Sequence, residues 1–183
     1  MEVEHVSELQ YLLLDVMDQL IPHLLYATKD LDERQRYYSE GTNNPIAFSA
    51  WHLTRTLEQG VLEAMAGRPS IWEAKGYRTQ LSFPADQVAV GITHEQVLAI
   101  KVEPWSAFLR YMAEVLTAVR DYVSAASGEE LEATITGARI DSEHPRGDYS
   151  KARIIRGRLT HASVHLGEIY AIRGALRLKG SPI

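Results

Sequence analysis

No cysteine occurs among the 183 residues. Disulfides, thiolate metal sites and a cysteine nucleophile are therefore excluded, and any thiol taking part in the chemistry must come from outside the chain. Long apolar runs are also missing. The longest span only a few residues, against the roughly 20 that a membrane helix needs. The opening MEVEHVSELQ lacks the basic start and apolar core of a signal peptide. A cytoplasmic protein with no membrane contact is the expectation. A surplus of positive charge is lacking too: the formal net charge is −5, so the surface as a whole offers no field to neutralise phosphates. The balance reverses from Lys151 onward, where Arg153, Arg156, Arg158, Arg173, Arg177 and Lys179 face only Glu168. On a helical wheel these cations spread around the helix instead of forming a stripe, which argues against nucleic-acid binding.

What is present is an ordinary globular composition, 45% hydrophobic and 23% charged, in a chain long enough for one domain with its own core. A single domain over residues 1–183 is expected. Apolar residues at Val6, Leu9, Leu13, Val16, Leu20, Leu24 and Tyr26 have helical spacing, with Pro22 as a candidate kink. Residues 29–44 read as a polar connection with room for one helical turn. Asn44-Pro45 has the form of an N-cap followed by proline at the first helical position. The helix it would start carries Ile46, Phe48, Trp51, Leu57, Val61 and Met65 and stops at Gly67-Arg68-Pro69. Ser70 to Gly91 reads as a long connection packing over an end of the core. Thr93 and Gln96 form a capping-box signature for a short helix.

The cleanest apolar stripe runs from Trp105 through Phe108, Met112, Val115, Val119 and Val123, with Gly128 as its stop. Residues 136–149 read as a second loop, and a last helix is expected from about Ser150 to Leu178. No stretch alternates strictly. Four long amphipathic segments predict an all-α protein, a four-helix bundle with long connecting loops whose topology the periodicity leaves open.

Seven histidines are present. His161 and His165 lie four apart in the last helix, so they project from one face a turn apart. With seven histidines one such pair arises easily by chance, and alone it says little. Two features strengthen it. The pair lies toward the apolar side of its helix, and His52 sits mid-helix beside Trp51 on another segment. A third imidazole from a facing helix would complete a three-nitrogen site with open positions. Position 162 is alanine, so HASVH is not the H-E-x-x-H of a zinc protease. Glu168 follows His161 by seven residues and Gln59 follows His52 by seven, so each is a candidate to orient an imidazole. Arg55 and Glu58 read as an exposed pair. His5, His23, His94 and His144 carry no assigned role, and neither does the Arg-Gly-Asp triplet at 146–148.

These residues resemble the DinB/YfiT-like family of metalloenzymes over nearly the whole chain. NPIAFSAWHLTRTLE is similar to that family's second helix, with His52 at its metal-binding position. GRPSIWEAKGY and GITHEQV are similar to its long connection. HASVHLGEIYAIRGALRLKG carries the C-terminal H-x-x-x-H-x-G-E/Q signature as His161, His165, Gly167 and Glu168. The resemblance implies an up-down-down-up bundle, a metal held by His52, His161 and His165, and a homodimer. Some relatives are transferases or isomerases that use a low-molecular-weight thiol.

Three functions compete on this basis. In the first, a divalent metal, zinc or nickel ahead of iron or manganese, lowers the pKa of a small thiol from about 8.5, or of water from about 15.7 toward 7, for attack on an electrophile. Glu168 is then the candidate catalytic group, handling a proton or orienting a ligand. In the second, the protein is a non-catalytic metal- or ligand-binding stress protein. In the third, the histidines are packed residues with no metal.

Overall fold

The computed structural model describes residues 7–39, 41, 43–81, 91–140 and 145–180. Three long helices and one shorter helix extended by a π turn dominate it: α1 (Glu8–Thr28), α3 (Ile46–Leu57), α7 (Trp105–Ala125) and α9 (Lys151–Ala175). Short helices occupy the connections: α2 (Glu33–Arg36), α4 (Ile71–Ala74), α5 (Tyr77–Gln80), α6 (His94–Ala99) and α8 (Gly128–Glu132). The fold is all-α apart from one hairpin.

Each long helix starts and buries itself for local reasons. The Ser7 side chain accepts from Gln10 N and caps α1, and Ser150 does the same for α9 through Arg153 N. Pro22 lies inside α1, which continues through it to Thr28. The apolar face of α1 buries Leu13, Met17, Leu20 and Leu24. The stripe of α7 buries Phe108, Met112, Val115 and Val119 completely. Fully burying each such side chain contributes about 1.5–3 kcal/mol. Capping boxes start α2 (Asp32, Gln35) and α6 (Thr93, Gln96).

Specific contacts fix helix directions. His23 meets Tyr170, and Ala27 O accepts from Arg173, so α1 and α9 run parallel. Gln10 donates to the carbonyls of Val123 and Ser124 while Asp18 pairs with Arg120, so α7 runs against α1. Ser49 lies opposite Glu168 and Gly60 opposite Arg158, so α3 runs against α9.

Several expectations need correction. The helix after Pro45 is not one regular α-helix: Glu58–Glu63 forms a π turn, whose i→i+5 bonding adds a residue to the turn and rotates the residues beyond it about the helix axis. Asn44 does not cap α3. Pro45 holds the N-cap position with no side-chain cap, so the first helical residue is Ile46. Gly128 does not end α7, which stops at Ala125; Gly128 opens α8 under a Ser127 cap. The expected loop 136–149 contains strand residues. Strand β1 (Thr134–Ala138) pairs antiparallel with β2 (Gly147–Ser150), with an irregular register between Ile135 and Ala138. A short ribbon with no buried residue and with Gly137 at φ +67° has too little alternation to announce itself. The long connection after Ser70 buries Trp72, Tyr77 and Leu81 against the bundle. Val6, His5 and His144 lie outside the described residues.

Candidate metal centre

α3 and α9 form a seam in which small residues permit close approach. Gly60 in the π turn packs against the Arg158 side chain of α9, and on another side of α9 Gly157 packs against Ile140 from the segment after β1; a Cβ at either position would collide with that neighbour. Ala50 and Ala162 are fully buried. Into this seam project His52 from α3 and His161 and His165 from α9.

The three rings converge. One ligating nitrogen from each lies within 4.8 Å of the others. Ring centroids are 5.1 Å apart for His52 and His161, 4.9 Å for His52 and His165, and 4.5 Å for His161 and His165, with steep interplanar angles. His52 Nε2 and His161 Nε2 are 3.1 Å apart. Two nitrogens each 2.0–2.1 Å from one tetrahedral ion would stand roughly 3.3 Å apart, so this pair already has close to the separation that shared ligation needs. His52 and His161 are partly exposed and His165 is buried. Phe48, one turn before His52, stacks on its ring at 5.7 Å and 4° between planes, which fixes its tilt.

Electrostatics keep the His52 ring neutral. Burial is the main cause holding His52 down at a pKa of about 3, and the neighbouring His165 and His161 add to it. A neutral imidazole retains a lone pair for a metal. His165 Nδ1 donates to Glu168 Oε2 at 2.7 Å, a bond that puts the proton on Nδ1 and leaves Nε2 as the acceptor nitrogen. Burial pushes the Glu168 carboxyl up, but hydrogen bonds from His165, Ser49 and Asn44 outweigh it and hold the group below its ordinary range. The donor set, three imidazole nitrogens with one ring backed by a carboxylate, fits a divalent ion of the zinc type.

Three residues stand differently from the sequence reading. Gln59 is exposed at the start of the π turn, so the seven-residue spacing that works in α9 fails in α3. Arg55 and Glu58 are not an exposed pair: their side chains are 13% and 0% exposed. They face α7, where Glu58 accepts from Arg55, from Tyr111 Oη at 2.5 Å and from Trp72 N at 3.0 Å. Sequence reading also missed Ser49 and Phe48. Both lie within one turn of His52 on α3, and a helical wheel centred on His52 would have found them.

A helical bundle whose paired helices bring three imidazoles to one point is the class these observations define. The DinB superfamily's sequence profile matches residues 17–169, a span that includes all three histidines and Glu168, and the chain belongs to that superfamily. A crystal structure of a conserved protein from Enterococcus faecalis is similar in fold, with a TM-score of 0.75 at 14% identity over 94% of this chain and 96% of that one. No curated protein matches the sequence. Among the described residues, no helix is long and apolar enough to cross a membrane.

Proposed function

We propose that this protein binds one divalent metal, zinc or nickel before iron or manganese, through His52, His161 and His165, and uses it to activate a small thiol or water for attack on an electrophile. The carrying observation is the convergence of three ligand nitrogens within 4.8 Å. When bound, the ion supplies positive charge that lowers the pKa of a thiol or water beside it. The chain's own residues do the rest. Among the described residues His52, His161 and His165 supply three ligands and no fourth, where structural zinc sites are closed by four protein ligands. Phe48 sets the tilt of His52. Glu168, hydrogen-bonded to His165 Nδ1, acts on the reaction by orienting that ring. With no cysteine in the chain, the thiol is a separate small molecule.

Partial exposure of His52 and His161 favours this reading over a metal that only holds helices together, because a purely structural ion has no need of an open side. The test is thiol consumption with a generic electrophile, metal-loaded against chelated, with helical circular dichroism monitored in parallel. Turnover that disappears on chelation while the fold persists supports the enzyme. No thiol consumed and no ester or amide hydrolysed in either state contradicts it and leaves a metal-binding protein.

The same reading includes a homodimer through the outer face of α1 and α9. Leu12, Val16 and Val164 are 53%, 44% and 59% exposed there. Gly167 and Gly174 lie inside α9 with open space where a Cβ would stand, although glycine in a helix interior costs about 1 kcal/mol against alanine. Light scattering on wild type and Val164→Lys tests it: a dimer converted to monomer supports the assignment, and a wild-type monomer contradicts it.

A further inference from the structure

Hydroxyls inside these helices mostly turn back on their own backbone. Thr28, Thr54, Thr160 and Ser163 each donate to the carbonyl four residues earlier, the usual outlet for a serine or threonine in mid-helix. Ser49 does something else. It is completely buried, and its hydroxyl crosses the seam from the first turn of α3 to Glu168 Oε2 on α9, at 3.2 Å. That oxygen also accepts from His165 Nδ1 at 2.7 Å. Asn44, just before α3, lies close enough to the same carboxylate to favour its ionised form.

We propose that Ser49, assisted by Asn44, is a positioning residue for His165 that acts through Glu168. The inference rests on the metal-binding reading of the histidines. A glutamate side chain is long, and that of Glu168 is 36% exposed, so water competes for its carboxylate. A bond from His165 alone would leave the carboxylate free to swing with the ring. Gripped from α3 as well, it becomes a fixed point in the seam, and the Nδ1 proton of His165 has one place to go. The ring then presents Nε2 toward His52 and His161 before any ion arrives, which removes an ordering cost from binding. The N-terminal turn of α3 thereby sets the geometry of a ligand that belongs to α9.

The test is a double-mutant cycle read as the zinc dissociation constant, measured by competition with a chelating dye on the full chain. Glu168→Ala is expected to weaken zinc binding about 10–100-fold, the usual range for partners that orient a ligand. Ser49→Ala should weaken it by about 3–10-fold, at the lower edge of that range or below it. Added to Glu168→Ala, it should change nothing further, because its effect passes through the missing carboxylate. In the metal-free protein, nitrogen NMR should find the His165 proton on Nδ1, with the other tautomer gaining population in Ser49→Ala. Should Ser49→Ala fail to fold, Asn44→Ala, at a partly exposed position, replaces it in the same cycle. An unchanged dissociation constant in the single variant, or an equal loss in both backgrounds, overturns the positioning role while the metal site stands. A wild-type protein that takes up no zinc overturns both.

Discussion

α3 carries a polar cluster on each of two sides, and the clusters are built on opposite terms. Toward α7, Glu58 is wholly buried, yet its carboxylate has a guanidinium, a phenol and a backbone amide as donors. Burial first, and Glu58 beside it, push the Tyr111 hydroxyl well above its ordinary range despite the opposing Arg55 charge, so it stays a protonated donor. That cluster is satisfied from within, and it ties α3 to α7 and to the connection at Ser70–Trp72. Toward α9, three imidazoles present nitrogens to one another, two of them at 3.1 Å with at most one proton between them. Two rings at that distance share one hydrogen bond at most, and the third nitrogen converging on them makes the set one that a cation would complete. The difference teaches that a buried polar cluster signals structure when donors and acceptors balance, and a ligand when acceptors accumulate.

The largest expected effect lies on the α7 side. Glu58→Ala leaves Arg55 and Tyr111 without their shared acceptor and should cost about 3–5 kcal/mol of stability, the range for breaking a buried charged pair. Chemical denaturation measures this, and zinc stoichiometry in the remaining folded protein should not change. His165→Ala should do the reverse, weakening metal binding by more than about 100-fold, beyond the range for orienting partners, with denaturation of the metal-free protein shifted far less. If either variant produces both effects equally, the two faces are not independent.

The glycines sharpen the contrast on a smaller scale. Gly157→Ala drives a Cβ into Ile140 and should destabilise by about 1–3 kcal/mol, as overpacking does. Gly167→Ala meets open space and should stabilise an isolated bundle by about 0.5–1 kcal/mol. A loss in its place, at concentrations where a dimer forms, marks a close helix contact with a second copy.

A further effect, spread over several pH units, comes from His52. His52 in the folded metal-free protein has a pKa of about 3 against an ordinary 6.5, so between those values the unfolded chain takes up the extra proton. The stability this ring contributes is full above about pH 6.5 and is lost as pH falls toward 3, at up to about 1.4 kcal/mol per pH unit. Denaturation midpoints across this range, wild type against His52→Phe, isolate the contribution.

How far the sequence reveals these two faces depends on the regularity of the helices that carry them. α9 is an uninterrupted α-helix over 25 residues, so the spacing of His161, His165 and Glu168 translates directly into a shared face, and the His165–Glu168 bond results. α3 keeps regular geometry through His52 and then enters the π turn at Glu58. From that point Gln59 is exposed, while Glu58 turns inward to Arg55 and Tyr111 and away from the histidines. Asn44 shows a second limit: asparagine before proline has the form of a cap, and only the neighbouring helix reveals that its side chain lies beside a carboxylate. The hairpin escaped notice because its few exposed residues bury too little for a pattern to be needed.

The most direct test of the three-imidazole centre is elemental analysis of tag-free protein, wild type beside His52→Ala. His52 is the decisive position because it alone reaches the site from the opposite helix. The account predicts close to one divalent ion per chain in wild type and almost none in the variant, with both equally helical. Equal metal content in the two, or none in wild type after zinc or nickel is supplied and excess removed, contradicts it.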